Sequence, residues 1–481
     1  MNIIHTLLLA ILVFAISPPA AATEQNLPDI GDPSGGVISP EVERRLGQAV
    51  MREVRRYATM VDDPEVESYI QSIGYQLVAN SDDNRLPFVF FVIQDPAINA
   101  FAAPGGVVGI NSGVIINAQS ESELAGVLAH EISHVTQRHM ARTYEAASKL
   151  SAPTAAALLG AVLLAIVNPA AAQAALTIIG GASTQYQINF TRSNEEEADR
   201  VGMQLLARSG FDPEGMPSFF ERLLDASRYR GAAPEYLQTH PLTTNRVADS
   251  KARAAQYETQ HHKDSITFKL VRAKLTAVSF QDPGEAIMFF EEKLQGSGYP
   301  DMESARYGYV IALTRANHFE QAAIQLEYLL SQSPENSAYL IAAAKLASAQ
   351  RNFQRAVAIY EKTDKLYPNY RPVVLGLTRA YLDAGNAAAA REVLRGSNRE
   401  YANDLLYYDL LSQAEASAGS PVEAGIAKAE YYYIIGDTQL AIERLKYAQH
   451  QYSPDYYQAE RIEARLTQLE YELSIEKELK L

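Results

Sequence analysis

Residues 124–139, LAGVLAHEISHVTQRH, place three histidines and a glutamate among the aliphatic side chains of one continuous predicted helix. The whole chain has nine histidines, so three within ten positions are a marked local concentration. The segment 130–134, HEISH, fits the pattern H-E-x-x-H. Residues four apart on an α-helix lie about 40° apart around its axis, so His130 and His134 can face one ion. The stretch therefore predicts two metal ligands on a buried helix.

Glu131 is the remaining acidic residue of this pattern. It lies about 100° around the helix from His130, where it can reach a water on the ion without ligating the ion. That is the arrangement of a metal-bound water with its general base. The chain has no Cys, so any metal must be held by His, Asp or Glu. The alternative is a pair of core histidines with ordinary partners, although burying them without partners would be costly.

The third ligand has two candidates, because catalytic zinc usually takes three protein ligands and a water. His139 lies five residues after His134 and about 140° around the predicted helix, so we interpret it as structural or as a partner of a ligand. Glu195, in TRSNEEEADRVG at 191–202, is the better candidate. Asp199 lies one turn later and is predicted to accept the second N–H of a ligand histidine. The other two glutamates of this run are predicted to be solvated, and the alternative for the whole run is an exposed helix start.

Upstream of the H-E-x-x-H helix, the sequence predicts a small α+β unit. Helices are predicted at 40–58 and 63–80, and strands at 87–93 and 107–110. A turn is predicted at 99–106, NAFAAPGG. Ser120 and Glu123 predict a capping box at the start of the H-E-x-x-H helix.

Composition and charge limit the class of protein. With 481 residues, 47% of them hydrophobic and 21% charged, the chain is typical of a globular protein of two or more domains. Its net charge of −15 argues against a nucleic-acid surface. Residues 1–22 are predicted to be a cleaved secretory signal peptide, and the alternative is an uncleaved anchor. The uncharged stretch 150–191 is predicted to form a lid-like pair of short helices, with a transmembrane hairpin or peripheral membrane contact as alternatives.

The C-terminal half, from 265 to 475, shows a repeat of 34 residues. Prolines recur at this interval, and so do small residues at an inner position; these are Pro300, Pro334 and Pro368, and Ala322, Ala356, Ala390 and Ala424. A period of 34 is typical of tetratricopeptide repeats, in which each unit is a pair of antiparallel helices. The sequence therefore predicts an α-helical solenoid with a concave face. The many tyrosines of this half suit either a peptide-binding groove or packing between helices.

Four segments together, NAFAAPGG, HEISHVTQRH, SNEEEAD and THPLTTNR, resemble the HtpX/CAAX-prenyl-protease group of zinc metalloproteases. The signal peptide and the repeats resemble its periplasmic branch. The resemblance implies a mainly α chain: a gluzincin-type α+β protease domain at 23–260, with a small sheet, followed by the solenoid. It also implies one Zn²⁺ per chain, held by His130, His134 and Glu195, with Glu131 as the base.

Three further predictions concern catalysis and substrate. His240 of THPLTTNR is expected either to stabilise the oxyanion or to occupy the open position of the zinc, and the alternative is a surface-loop histidine. Arg246 is expected to pair with a carboxylate or with the substrate backbone. The strand at 107–110 is expected to be an edge strand that binds substrate by β-addition, and the alternative is an interior strand. Its residues are Val107, Val108, Gly109 and Ile110.

The expected function is that of a periplasmic zinc endopeptidase in a Gram-negative bacterium. The resemblance implies that it degrades misfolded or misassembled outer-membrane proteins and assists their assembly in a chaperone-like way. The repeats would dock these clients or the β-barrel assembly machinery, through a BamA-type component. The alternative is a repeat-based chaperone or adaptor of that machinery with a largely silent metal site. Processing of prenylated peptides is disfavoured by the export signal.

Overall fold

A computed structural model describes the chain in seven stretches, namely 39–83, 86–148, 184–229, 234–257, 262–296, 301–396 and 404–479. The predicted signal peptide at 1–22 lies outside these stretches. So does most of the uncharged segment 150–191, of which only the last residues belong to a described helix. Among the helices of the described stretches, none combines the length and the apolar character needed to cross a membrane.

The first half combines helices with one small sheet. Its elements are α1 Pro40–Tyr57, α2 Pro64–Ala79, β1 Val89–Ile93, β2 Ala100–Ala103, β3 Val107–Asn111, α3 Ser112–Asn117, α4 Glu121–Thr136, α5 His139–Ser148, α6 Thr184–Arg208, α7 Gly215–Tyr229, α8 Tyr236–Thr239 and α9 Thr244–Ala254. The helices predicted at 40–58 and 63–80 and the strands predicted at 87–93 and 107–110 are confirmed. The turn predicted at 99–106 is wrong in its first half, which forms β2. The chain reverses only at Pro104–Gly106, where Gly105 and Gly106 adopt positive φ angles of 75° and 79°.

The sheet has the strand order β1-β3-β2. Strand β3 is parallel to β1 and antiparallel to β2, so both of its edges are already hydrogen-bonded. The prediction that Val107, Val108, Gly109 and Ile110 form a substrate-binding edge strand is therefore wrong, and the interior-strand alternative is correct. The tight reversal at Pro104–Gly106 is the physical reason, since it folds β2 back onto the edge of β3 that would otherwise be free.

Helix α4 lies in the centre of the main hydrophobic core, and every described side chain from Glu121 to Ser133 is buried. The hydroxyl of Ser120 caps its start by accepting from the backbone N–H of Glu123, 3.2 Å away. The Glu123 carboxylate accepts from the N–H of Gln119 at 2.6 Å, one residue earlier than the predicted capping box requires. Helix α6 packs closely on α4 because Gly202 faces it. A Cβ at Gly202 would lie 3.1 Å from both the carbonyl oxygen of Ala129 and the amide nitrogen of His130.

The second half is a solenoid of paired helices. Its elements are α10 Ile266–Ser279, α11 Pro283–Gln295, α12 Met302–Arg315, α13 Phe319–Gln332, α14 Ser337–Ala349, α15 Phe353–Leu366, α16 Arg371–Asp383, α17 Ala387–Gly396, α18 Leu405–Ser417, α19 Pro421–Ile434, α20 Thr438–Gln451 and α21 Tyr456–Leu479. Helices α13, α15, α17 and α19 begin 34 residues apart, which confirms the predicted period. The inner alanines of the repeat are all buried; they are Ala322, Ala356, Ala390 and Ala424. Of the predicted repeat prolines, Pro300 lies outside the described residues.

Helix α10 belongs to both halves of the molecule. One face packs into the core around α4, and the other packs into the first repeat of the solenoid; the two faces carry Phe268, Val271 and Leu275, and Leu270, Ala273 and Ala277 respectively. Ser265, which caps α10, bonds to Glu121 on the first turn of α4 through both its hydroxyl and its N–H. The helix that carries the H-E-x-x-H residues is thus tied directly to the first helix of the solenoid.

A buried cluster of charges joins the first turn of α2 to the solenoid. The ammonium group of Lys274 contacts the carboxylates of Asp63, at 2.8 Å, and of Glu65. Lys345 on α14 lies 3.2 Å from the same Glu65 carboxylate. Burial alone would lower the pKa of Lys274, but the two carboxylates raise it above its usual value. Lys274 is therefore held in its charged form at the junction between the halves.

Replacing Lys274 with methionine tests this junction. We expect Lys274→Met to lower the free energy of unfolding by about 3 kcal/mol, because it removes the buried cation between Glu65 and Asp63 and leaves the half-exposed Lys345 as their remaining cation. Urea unfolding followed by circular dichroism measures the change. Lys251→Met, which removes an exposed pair with Glu221, is the control and should cause no measurable loss. Equal stability of both variants would contradict a stabilising role for the buried cluster.

Candidate metal centre

Four side chains converge on one point between α4, α6 and the loop after α8. One ligand atom from each of His130, His134, Glu195 and His240 lies within 4.8 Å of the corresponding atoms of the other three. The Nε2 atoms of His130 and His134 are 3.0 Å apart, and oxygens of Glu195 lie 3.4 and 3.5 Å from them. The Nδ1 atom of His240 is 3.3 Å from Nε2 of His130 and 3.1 Å from both Glu195 oxygens. Three imidazoles and one carboxylate form a typical donor set for zinc.

Each ligand is positioned by the local fold. The helical repeat of α4 puts His130 and His134 on one face, and the close packing at Gly202 brings Glu195 of α6 opposite them. His240 follows the short helix α8. This helix is anchored by a hydrogen bond from the N–H of Tyr236 to the carbonyl of Ile98, at 3.0 Å, just before β2.

The charges around these atoms favour a cation. His130 is completely buried, which by itself would lower its pKa, but Asp199 and Glu195 raise that pKa to about 10. Burial would likewise raise the pKa of Glu195, yet His240 and His134 hold it well below its usual value. A buried carboxylate that stays ionised among imidazole nitrogens is suited to a divalent metal ion, so the residues present fit the metal that the sequence predicts.

Glu131 lies beside this cluster without a hydrogen-bonding partner. Both of its carboxylate oxygens are buried and unpaired among the described residues, and Oε1 is 3.4 Å from Nε2 of His240. Burial raises the pKa of Glu131, while His240 and His130 oppose that rise. An unpaired buried carboxylate is costly, so it indicates a group used in chemistry rather than in stabilising the fold.

Tyr236 is a site residue that the sequence did not reveal. Its ring is buried and stacks on the ring of His240, with centroids 4.6 Å apart and planes 25° apart. Its hydroxyl is also buried without a partner among the described residues. The sequence offered one signal for Tyr236, its position four residues before His240. That spacing puts the two side chains on the same face only if the segment is helical, which the structure of α8 shows.

Asp199 and Arg246 support the ligands from behind. An oxygen of Asp199 lies 3.0 Å from Nδ1 of His130, where the sequence placed it. The Arg246 guanidinium donates two hydrogen bonds of 2.8 Å to Asp199 and lies 3.1 Å from Glu195. It also donates to the carbonyl of Pro241 at 2.7 Å. Arg246 is only 4% exposed and pairs with these carboxylates, which is one of the two roles expected for it; its contact with substrate stays a prediction.

His139 does not continue the helix of His134. Helix α4 ends at Thr136, and Arg138 adopts a positive φ of 52° before α5 begins. The prediction of one continuous helix over 124–139 is therefore wrong, because the reversal at Arg138 turns the chain back. It brings Nδ1 of His139 to 2.8 Å from Nδ1 of His134. Glu197, expected to be solvated, instead lies 3.2 Å from Nε2 of His139.

Comparisons with known proteins agree with this geometry. The sequence profile of peptidase family M48 matches residues 64–254, and a tetratricopeptide repeat profile matches residues 347–414. The chain is 36% identical to the β-barrel assembly-enhancing protease of Escherichia coli (strain K12), over 97% of this chain and 96% of that protein. A putative β-barrel assembly-enhancing protease of Vibrio cholerae is also 36% identical, over 96% of each chain. A mitochondrial metalloendopeptidase of Schizosaccharomyces pombe is 30% identical over 44% of this chain and 60% of its own length.

The role assigned to Arg246 can be tested through stability. We expect Arg246→Met to lower the free energy of unfolding of the metal-free protein by about 3 to 5 kcal/mol, because Asp199 and Glu195 lose their buried cation. Denaturant unfolding gives this value. Arg253→Met on the same helix removes an exposed pair with Asp249 and should cost about 0.5 kcal/mol or less. A variant with wild-type stability and a raised KM would instead restore the substrate-binding interpretation.

Proposed function

Because the chain belongs to peptidase family M48, alongside the β-barrel assembly-enhancing proteases, we propose that it is a zinc-dependent endopeptidase of the Gram-negative periplasm. One observation carries the proposal: His130, His134 and Glu195 converge on one point, with the unpaired carboxylate of Glu131 beside it. A structural metal site has no use for a buried base at this position. A catalytic site requires one.

The proposed reaction is hydrolysis of a peptide bond. Bound zinc would polarise the scissile carbonyl and lower the pKa of a water molecule. Glu131 accepts the proton of the water as its oxygen attacks the carbonyl carbon, and then delivers this proton to the leaving nitrogen. The carboxylate of Asp199 lies 3.0 Å from Nδ1 of His130, on the side of the ring away from the other ligand atoms, and would favour a hydrogen on Nδ1 with Nε2 left free for the metal. Arg246 helps to keep Asp199 ionised and also lies 3.1 Å from Glu195.

His240 is proposed to close the site in its resting form. A catalytic zinc site needs a position that protein ligands leave open, but Nδ1 of His240 lies within the ligand cluster. His240 must therefore leave this position before a substrate carbonyl can enter. We favour this role over that of an oxyanion donor, because an oxyanion donor faces the substrate rather than the other ligands.

Substrate is proposed to add to β2 rather than to β3. Strand β2 is at the end of the sheet next to α4, and no strand among the described residues pairs with its outer edge. An extended chain bound there would be held through its backbone, which suits a protease that acts on many unfolded sequences.

The proposed clients are misfolded or misassembled outer-membrane proteins, whose assembly the protein would also assist. Support comes from relatives that bear the name β-barrel assembly-enhancing protease, and from the predicted signal peptide at 1–22. The solenoid is proposed to dock these clients or a BamA-type component of the β-barrel assembly machinery, since stacked repeats offer an extended concave surface.

Replacing the base tests the catalytic proposal. Glu131→Gln should retain zinc but lose roughly 10²-fold or more in the rate of cleavage of an unfolded protein, because the amide cannot accept the proton. Gel assays on the mature protein, with and without a chelator, measure the rate. Glu196→Gln, an exposed neighbour of Glu195, is the matched control and should cleave normally.

Equal cleavage by the wild-type, chelated and Glu131→Gln proteins would contradict the proposal. No cleavage by any of them, with retained help to client folding, would favour the adaptor function.

Replacing His240 distinguishes the two roles considered for it. We expect His240→Ala to cleave faster than the wild-type protein, because the position on the metal is then open to substrate. The initial rate at low substrate concentration is the measurement. A fall in kcat at unchanged KM would show instead that His240 stabilises the transition state.

A further inference from the structure

The two ligand histidines of α4 differ in what holds their second ring nitrogen. For His130 this atom faces the carboxylate of Asp199 at 3.0 Å. For His134 it faces another imidazole, with Nδ1 of His139 at 2.8 Å. A distance of 2.8 Å between two ring nitrogens is a hydrogen bond, so one of the atoms carries a proton and the other accepts it.

The proton positions along this contact follow from the ligand role of His134. If Nε2 of His134 binds the metal, its Nδ1 must carry the hydrogen and donate it. Nδ1 of His139 must then be the acceptor, which places the hydrogen of that neutral ring on Nε2. Nε2 of His139 lies 3.2 Å from a carboxylate oxygen of Glu197, which accepts this hydrogen. Each ring nitrogen of His134 and His139 thus has one partner, and only one tautomer of each ring fits these contacts.

Both rings are suited to this arrangement. His139 is 4% exposed, so its ring is held in the interior beside His134. The guanidinium of Arg142 donates to the same Glu197 oxygen at 2.8 Å and fixes the carboxylate. The rings of His134 and His139 meet edge to face, 79° apart, which directs one nitrogen at the other.

The backbone is shaped to make this contact. In an uninterrupted helix His139 would lie far around the axis from His134, as its spacing indicates. The left-handed conformation of Arg138 is uncommon for a residue with a side chain, and it reverses the chain so that the two rings meet. The Arg138 side chain donates to Glu43 on α1 at 2.8 Å, which anchors the reversal to the body of the domain.

We propose that His139 is a positioning residue for the metal centre: it fixes the orientation and the tautomer of His134, and Glu197 and Arg142 in turn fix His139. The inference rests on the proposed metal site and deepens it. His139 does not touch the metal or the substrate. It acts through His134, as Asp199 acts through His130. The second ring nitrogen therefore faces an imidazole in His134 and a carboxylate in His130.

The test measures zinc affinity rather than activity. The metal-free full-length protein competes with a chromophoric chelator for Zn²⁺, with His139→Phe and His139→Asn as variants. Phenylalanine keeps the ring but has no acceptor, and it should weaken zinc binding roughly 10- to 100-fold. The amide oxygen of asparagine takes nearly the place of Nδ1, so this variant should bind zinc more like the wild type than like His139→Phe. A merely space-filling role would give the opposite order.

A second pair of variants avoids changing a buried ring. Glu197→Ala removes the outer acceptor and should weaken zinc binding by less than His139→Phe, whereas Glu196→Ala removes an exposed glutamate one residue away and should leave it unchanged. The visible spectrum of the Co²⁺-loaded protein reports the geometry at the metal. It should change in His139→Phe and not in Glu196→Ala.

Two results are decisive. Wild-type affinity and an unchanged Co²⁺ spectrum in both His139→Phe and Glu197→Ala would overturn the positioning role while leaving the metal site intact. Failure of the wild-type protein itself to bind zinc would overturn the proposed function together with this inference. Unfolding curves of the metal-free variants confirm that any loss of affinity occurs in a folded protein.

Discussion

The close approach of α4 and α6 is the constraint on which the rest of the site depends. Gly202 allows α6 to lie against the backbone of Ala129 and His130, because a side chain there would meet main-chain atoms that cannot move away cheaply. This packing brings Glu195 within 3.5 Å of both ligand histidines. It also brings Asp199 behind His130. Without this approach, the H-E-x-x-H pair would be two buried histidines with no acidic partner.

Buried charges need partners of opposite charge, and the molecule supplies such partners at two places. Glu195 and Asp199 are ionised in a dry environment, and Arg246 compensates both while holding the loop of His240 through Pro241. A similar balance occurs at the junction, where Lys274 compensates Asp63 and Glu65. Helix α10 carries Lys274 and also packs against both cores. Helix α10 therefore links the core around the metal centre to the first core of the solenoid.

Polar side chains without hydrogen bonds lie together in the interior of the site. Both carboxylate oxygens of Glu131 are buried beside the cluster and form no hydrogen bond among the described residues. Nδ1 of His240 lies within the cluster of His130, His134 and Glu195, and the ring of Tyr236 stacks on the His240 ring. The Tyr236 hydroxyl is likewise buried without a hydrogen bond among the described residues.

The features that could be predicted from the residues alone depend on local spacing. The H-E-x-x-H pair, the ligand run at Glu195 and Asp199, and the 34-residue repeat all follow from helical geometry within one element or from regular recurrence. Helices and strands before the H-E-x-x-H helix were predicted for the same reason. Strand β2 was not predicted, because it is only four residues long and a turn follows it directly.

The features that could not be predicted depend on a reversal of the chain or on contact between distant elements. The turn at Pro104–Gly106 made β3 an interior strand, and the left-handed residue Arg138 brought His139 back to His134. Arg246 proved to be a buried partner of Asp199, and Nδ1 of His240 proved to lie among the ligands. Spacing along the chain fixes direction only while the backbone repeats regularly. Beyond the end of a helix or strand, the partner of a side chain depends on how the elements pack against one another. The distance between side chains on two different elements cannot be read from a single sequence.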